Sequence, residues 1–415
     1  MLDRPENHQH LPWGENMNWK MTSSIVLLTY FAVASIALSE TIYVPADHST
    51  IAAAIDASDN GDVIEVSSGI YNENSLDTSG KSITILGTIE ADGTLGTIID
   101  GNLSGSVFRF NSGEGPDTML KNLVIRNGDS PQGGGIFCSG TDPTIKGCLL
   151  TGNYGYTGGG ISCYYSDPTI TNCIFLNNSS DTYGGGIRCL QSSPVIRDCT
   201  FIENSTLQNG GGIFLTNNSN AEIQNCTFTE NFAGLNGAAI MVEVSNAQLL
   251  DCTIKGNTAS QSGGGVYVIS GNPTFTDCNI NNNEAGSRGG GLYCSTSSPS
   301  IDGCTISANY AANTGGGIYS TTTSSPPLSD SNVCANIPIQ IYGNWDDEGD
   351  NVVADVCPAD CIGDATGDGY VDVNDVLYLL SAWGTNDPNA DFDDNGTVDV
   401  DDILELLSRY GTICE

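Results

Sequence analysis

The sequence predicts an all-β solenoid, a parallel sheet wound through turns of about 26 residues, followed by a small helical unit. Two observations carry that prediction. A phrase of three small residues and one aliphatic recurs eight times, beginning at Gly133, Gly158, Gly184, Gly210, Gly237, Gly263, Gly289 and Gly315. Beyond it, an acidic loop pattern leading into an amphipathic run occurs twice, at Asp364 and again 27 residues later at Asp391. Self-similarity at a period of roughly 20 to 50 residues marks stacked units.

The residues of one unit decide what is stacked. Between Gly133 and Asn153 lie three short alternating runs, around 135–138, 144–146 and 148–150, separated by Gly, Ser, Asp, Pro and Asn. Alternation at period 2 with β-branched residues argues strands, and the separators are turn formers. None is long enough for a helix. Three short strands per turn, with equivalent residues ~4.8 Å apart along the stack, place Ile136, Ile161, Ile187, Ile213, Ile240, Val266, Leu292 and Ile318 in one inward row. Cys148, Cys173, Cys199, Cys226, Cys252, Cys278 and Cys304 form a second row, and small thiols suit a narrow interior. Five residues after each cysteine comes Asn153, Asn178, Asn204, Asn231, Asn257, Asn283 or Asn309. Asparagine tolerates a left-handed turn, and stacked amides can hydrogen-bond along the axis. From about Thr41 to Val353 this pattern resembles the right-handed parallel β-helix of the pectin-lyase-like superfamily, especially its Gly- and Asn-rich secreted members.

Taken in order, the chain reads as three segments: 1–39, 40–357 and 358–415. Ile25–Leu38 is an apolar run preceded by Lys20 and followed by small residues, the pattern of an export signal, with Met17 or Met21 as alternative starts. The run is too short for a comfortable membrane span. The expectation is therefore a secreted protein, extracellular or at the cell surface, with no stable membrane span. From Glu40 the units are irregular: Tyr43-Val44 reads as a strand, and Ser49 or Thr50 can cap a short helix bearing Ile51 and Ile55. Such a helix would cover the open end of a coil. After Ile318 the rhythm fails, and Cys334 and Cys357 bracket an acidic segment containing Trp345, read as the C-terminal cap. Fifteen cysteines in an exported chain invite disulfides. Cys334–Cys357 and Cys361–Cys414 are the expected pairs, and the cysteine row is expected to stay as buried thiols.

Composition narrows the partners. Twelve Lys and Arg face 49 Asp and Glu, a net charge of −37. That excludes an ordinary nucleic-acid footprint, which needs a basic face, and suits a solvated or calcium-binding chain. The 51 glycines belong largely to the repeat and do not indicate disorder.

The duplicated loops carry the best-defined chemistry. Oxygen donors at loop positions 1, 3, 5, 7, 9 and 12, with glycine at 6, are what a hard cation such as Ca2+ requires. The first loop supplies Asp364, Thr366, Asp368, Tyr370 (through its carbonyl), Asp372 and Asp375; the second supplies Asp391, Asp393, Asn395, Thr397 (through its carbonyl), Asp399 and Asp402. In the run that follows each, Val373, Val376, Leu377, Leu380 and Trp383 match Val400, Ile403, Leu404, Leu407 and Tyr410. Two loop–helix units from Gly363 to Gly411 with no helix before either loop resemble a type I dockerin, a small EF-hand-like module. The resemblance implies calcium as cofactor and docking onto a cohesin-like or cell-surface protein. Thr366 departs from the usual Asp or Asn, and Val373-Asn374 and Val400-Asp401 replace the usual Ser-Thr recognition pair.

Candidate chemistry on the coil is sparse. The pectate-lyase and polygalacturonase signatures are absent, and His48 is the only histidine after residue 39. Asp142 and Asp167, each before proline in adjacent turns, are the carboxylate candidates; the alternative is that both are turn residues. Arg188 and Arg197 could neutralise an acidic sugar. The residue after each inward aliphatic points outward, giving the column Phe137, Ser162, Arg188, Phe214, Met241, Tyr267, Tyr293 and Tyr319. Phe214, Tyr267, Tyr293 and Tyr319 are the carbohydrate-binding candidates, the tyrosines as a flat exposed strip. The expected function is a secreted carbohydrate-associated β-helix, binding or adhesive, with polysaccharide as partner. The alternative is a lyase or O-glycosyl hydrolase acting on acidic polysaccharide.

Overall fold

The computed structural model describes residues 39–357, 365–366, 371–387, 389–392 and 395–411. The expected export segment up to residue 38 lies outside the described residues, as does the Cys361–Cys414 pair. Among the described residues no helix is long and apolar enough to cross a membrane.

Residues 41–354 wind into a stack of parallel strands. Each strand pairs with its equivalents in neighbouring turns, as Ile161–Tyr164 pairs with Ile136–Ser139 on one side and Ile187–Leu190 on the other. The stacked strands make sheets of 13, 12, 10 and 8 strands. Three of them come from the expected runs. The eight-stranded sheet does not, and it corrects the expectation of three strands per turn. Its strands follow each ladder asparagine, for example Tyr154–Thr157, Ser179–Tyr183 and Thr258–Ala259. They are short and face inward with Gly155, Ser180, Ala233 or Ala259 rather than aliphatics, so they lack the hydrophobic alternation that marks a strand in sequence.

The inward rows form one continuous core. All eight predicted aliphatics from Ile136 to Ile318 are fully buried, and Phe175, Phe201 and Phe228 stack at 4.6 and 4.7 Å between ring centres. Burial of each such side chain is worth roughly 1.5–3 kcal/mol, an upper figure because denatured chains are partly collapsed. The ladder cysteines are buried and unbridged, each thiol lying near a carbonyl, as Cys173 does with Ile145 and Thr171. A further inward set on the glycine-rich strands is Cys138, Cys163, Cys189 and Cys294; burial pushes the Cys294 thiol pKa up.

The asparagine row hydrogen-bonds along the axis as expected. Asn231 Nδ2 donates to Asn257 Oδ1 at 2.9 Å and to the Phe201 carbonyl at 3.0 Å, while its Oδ1 accepts from the Asn204 amide and backbone N–H. The row continues through Asn336 to Gln340, which replaces the missing next turn. The left-handed residue, however, is the one before each ladder asparagine: Asn177, Glu203, Glu230 and Asn282 have φ of 53–56°. The ladder residues are selected for their amides, not for a positive φ.

Both ends are closed. Helix α1, Ile51–Ala57, starts at Thr50, whose hydroxyl accepts the Ala53 N–H at 3.1 Å. The Glu73 carboxylate takes the N–H groups of Ile51 and Ala52, and Ile51, Ala54 and Ile55 pack into the core. At the other end Cys334 and Cys357 are bridged, and Trp345 packs partly buried against the last turns.

The C-terminal segment has its own core. Helices α2, Val373–Ser381, and α3, Val400–Ser408, are capped by Asp372 and Asp399 through matching capping boxes. Leu379 and Leu406 are buried with Val371 and Val398, and Val376 and Ile403 pack against them. Val373, Leu377, Leu380 and Trp383, and their counterparts Val400, Leu404, Leu407 and Tyr410, are instead about half exposed. The duplicated apolar pattern therefore serves two faces, one closing the core and one open.

Candidate functional sites

The outward column of the glycine-rich strands begins earlier and ends later than the phrase that predicts it. Arg109 pairs with Phe137, and Tyr319 pairs with Tyr342, so the column runs from Arg109 to Tyr342. Neither terminal turn carries the full glycine phrase, which is why both residues escape a reading based on it. The first glycine of the phrase shapes this face. Gly158 has φ of +66°, and a Cβ there would sit 2.5 Å from the Ile161 carbonyl oxygen and 2.8 Å from the Ser162 Cβ. The chain thus folds back over the outward residue, forming a wall beside the column. The wall residues precede each glycine and pair turn to turn: Tyr183 with Asn209, Asn236 with Ser262, Ser262 with Arg288. Tyr183 stacks on Phe214 with centres 4.5 Å apart, and the Arg288 guanidinium lies 5.2 Å from the Tyr319 ring centre.

The tyrosines do not make a flat strip. Tyr267, Tyr293, Tyr319 and Tyr342 lie face to face, with centres 4.5, 4.9 and 5.2 Å apart and planes within 10° of parallel. The turn spacing of the sheet sets successive rings face to face, so Tyr293 and Tyr319 are covered by a ring on both faces and Tyr267 and Tyr342 on one. Phe214 and Tyr319 are 3 % and 9 % exposed, against 47 % for Tyr342. Burial pushes the Tyr267 hydroxyl pKa up to about 12.

Asp142 and Asp167 are exposed and lie in register at one turn, and one oxygen of each carboxylate accepts a backbone N–H. Asp142 Oδ1 accepts the Asp167 N–H at 2.7 Å, and Asp167 Oδ1 accepts the Ser193 N–H. The same bond recurs where the turn residue is neutral: Asn220 accepts from Asn246, Asn246 from Asn272, and Asn272 from Ser298. Arg197 is in a different sheet from Arg188 and pairs with Glu222. Arg188 is half-buried between Ser162 and Phe214, and burial pulls its pKa down.

In the C-terminal loops, Asp364, Asp368, Tyr370 and Asp393 lie outside the described residues. Among the described residues alone, no three acidic, histidine or cysteine side chains converge as a metal site. The remaining loop positions share one design. Asp375 and Asp402, at position 12, are fully buried and accept the N–H groups of Asp372 and Asp399, each at 2.8 Å. Asp375 also accepts from Thr366, and Asp402 from Phe392 at 2.6 Å. Asp391 is buried and accepts the N–H groups of Asn395 and Gly396, and Gly396 has φ of +89°. Buried carboxylates folded around a glycine turn fit a divalent cation by donor chemistry.

The parallel coil with its stacked asparagines defines a β-helix protein. A family model for the right-handed β-helix region matches residues 48–243 and 211–349, and the chain belongs to that family. Solved structures similar to it include pectate lyase Pel9A (14 % identity, TM-score 0.37, covering 76 % of this chain and 80 % of that one). Another is a mannuronic acid specific polysaccharide family 6 lyase from human gut microbiota (12 % identity, TM-score 0.34, covering 75 % and 92 %). No curated protein matches the sequence.

Proposed function

We propose that this protein is a secreted, carbohydrate-associated β-helix that binds polysaccharide along the outward column and is attached through a calcium-binding, dockerin-like C-terminal module. The observation that carries the reading is the continuous column from Arg109 to Tyr342, rich in aromatic rings and walled on one side. Tyrosine edges and hydroxyls along a rigid stack give a glycan both apolar contact and hydrogen bonds. A binding role, rather than a hydrolytic one, is supported by the use of Asp142 and Asp167 as acceptors for backbone N–H groups. Docking is supported by the open apolar faces of α2 and α3, which present equivalent residues from the two copies. In the loops, Asp364, Asp368, Asp372, Asp375, Asp391, Asp393, Asn395, Asp399 and Asp402 would hold calcium, with Thr366 and the Tyr370 and Thr397 carbonyls completing the sets. The bound ion would neutralise carboxylates that otherwise repel.

Changing Tyr267, Tyr293 and Tyr319 together to Phe tests the binding face while keeping the stack. Retention of the protein on insoluble polysaccharides is expected to fall several-fold, roughly the loss of one or two hydrogen bonds, at an unchanged melting temperature. Unchanged retention would make the stack a shield for the sheet and remove it from the binding surface.

A further inference from the structure

We propose that the outward face of the eight-stranded sheet binds a neutral, straight polysaccharide chain through the ring faces of Tyr154, Phe232 and Tyr310. The inference rests on the carbohydrate reading above and adds to it a second face and a class of sugar.

The first residue of each strand in this sheet points outward, opposite the inward glycine, serine or alanine that follows it. Tyr154 stands in register between Asp129 and Ser179, Phe232 between Ser205 and Thr258, and Tyr310 beside Glu284. An aromatic ring therefore returns at every third turn, an interval of roughly 14 Å along a straight row. The three rings are 37, 41 and 44 % exposed, whereas Phe214 and Tyr319 of the outward column are nearly buried. No register neighbour in the adjoining turns carries a ring, so their faces are not covered as those of Tyr293 and Tyr319 are. Shielding of the sheet does not account for them, because Ser179, Ser205 and Thr258 serve the same positions in the turns between. The strand Ser179–Tyr183 ends in the wall residue Tyr183, so this face adjoins the outward column across the wall.

Charge on the face narrows the ligand. Its strands carry Asp129, Asp181 and Glu284 and no lysine or arginine. Asp181 lies within reach of the Tyr154 hydroxyl and pushes its pKa up. A uronate chain laid along the row would set its carboxylates against these three, and like charges in juxtaposition cost affinity. A neutral chain meets no such repulsion. Ring shape narrows it further. A pyranose whose hydroxyls and linkages are all equatorial leaves bare C–H faces, which pack flat on an aromatic face. Chains of such units run straight and can meet three collinear rings at once. Rings fixed on a rigid sheet lose little freedom on binding them. A β-1,4-linked glucan, the polymer of cellulose, has that chemistry.

The test is a binding isotherm of the full-length protein, calcium present, on microcrystalline cellulose, with soluble hydroxyethyl cellulose, amylose and polygalacturonate as competitors. Hydroxyethyl cellulose is expected to displace the protein, and the coiled amylose and the charged polygalacturonate are not. Tyr154→Thr, Phe232→Thr and Tyr310→Thr together should weaken cellulose binding at least about tenfold, the loss of three aromatic contacts. The same factor is expected when Tyr267, Tyr293 and Tyr319 have already been changed to Phe, since separate surfaces contribute independently. Asp129→Asn, Asp181→Asn and Glu284→Gln together should let polygalacturonate compete. Cellulose binding unchanged in the triple threonine variant overturns this face and leaves the carbohydrate reading standing. So does a parent that is retained by another polysaccharide but not by cellulose. Polygalacturonate or amylose competing as well as hydroxyethyl cellulose overturns the neutral, straight ligand. A parent retained by no polysaccharide overturns both readings. If the triple variant melts early, Phe232→Thr alone decides, because its register neighbours are already Ser205 and Thr258. Full cellulose affinity in that variant overturns the proposal.

Discussion

The coil and the C-terminal loops both bury polar side chains, and they satisfy them by opposite means. Along the coil's asparagine ladder the buried groups are neutral amides, and each turn completes the hydrogen bonds of the last. In the loops they are carboxylates, Asp375, Asp391 and Asp402, in a segment with fourteen acidic residues and one arginine between 358 and 415. Backbone N–H groups partly satisfy them, and the cation proposed for these loops would offset their charge. One region should therefore owe its stability to repetition alone, and the other to its ionic conditions.

The largest expected effect is a break in the amide ladder. Asn231→Ala removes four hydrogen bonds and leaves Phe201 O, Asn257 Oδ1 and the Asn204 donors short of partners inside the core. At about 1–3 kcal/mol for each group left unsatisfied, a loss of roughly 4 kcal/mol is expected in urea unfolding, the same with calcium or chelator. Asn177→Ala, at the left-handed position with φ of 54°, should cost about 1 kcal/mol. Equal losses would mean that turn geometry, not the ladder, holds the coil.

The next effect belongs to the loops. Hydrogen exchange of the amides in α2 and α3 is expected to slow on adding calcium, by up to about 2.7 kcal/mol of protection at a hundred times the dissociation constant. Amides of the asparagine ladder should not respond. Asp391→Ala should remove the gain in α3. Protection indifferent to calcium and chelator would end the contrast between the two regions, since the loops would then be stable on their own hydrogen bonds.

These contrasts also decide what the sequence discloses. The glycine phrase, the cysteines and the asparagines repeat with identical chemistry, so their rows can be read directly. The fourth strand has no such mark, because Gly155, Ser180 and Ala259 carry no alternating hydrophobicity. The outward column is legible as a list, but its shape is not. That the tyrosines stack face to face follows from a turn spacing that only the assembled sheet provides. That the Thr157 and Ser162 hydroxyls lack a partner is likewise a property of the packed structure. Asp142 and Asp167 stand aligned as their sequence positions imply, but the backbone N–H that each accepts from the next turn is visible only in the packed structure.

The smallest expected effect brings charge into the coil itself, at its N-terminal cap. Asp62 is buried there and its carboxylate accepts the Asp59 N–H at 2.7 Å and the Glu40 N–H at 2.8 Å. These bonds favour the ionised form and hold its pKa below the usual value, with Lys81 adding a weaker attraction. A carboxyl whose folded pKa is depressed contributes stability above its unfolded pKa, near 3.9, and loses it as pH falls through the folded value. The cap is therefore expected to loosen only below about pH 4, and by no more than about 1 kcal/mol given how near the group lies to solvent. Melting curves of the parent and of Asp62→Asn between pH 3 and pH 7 measure it. The variant should be slightly less stable at pH 7 and should converge with the parent at the acidic end. A gap that stays constant across that range would show that the carboxylate holds the cap by shape rather than by charge, and the contrast between neutral coil and charged loops would then extend to the very first turn.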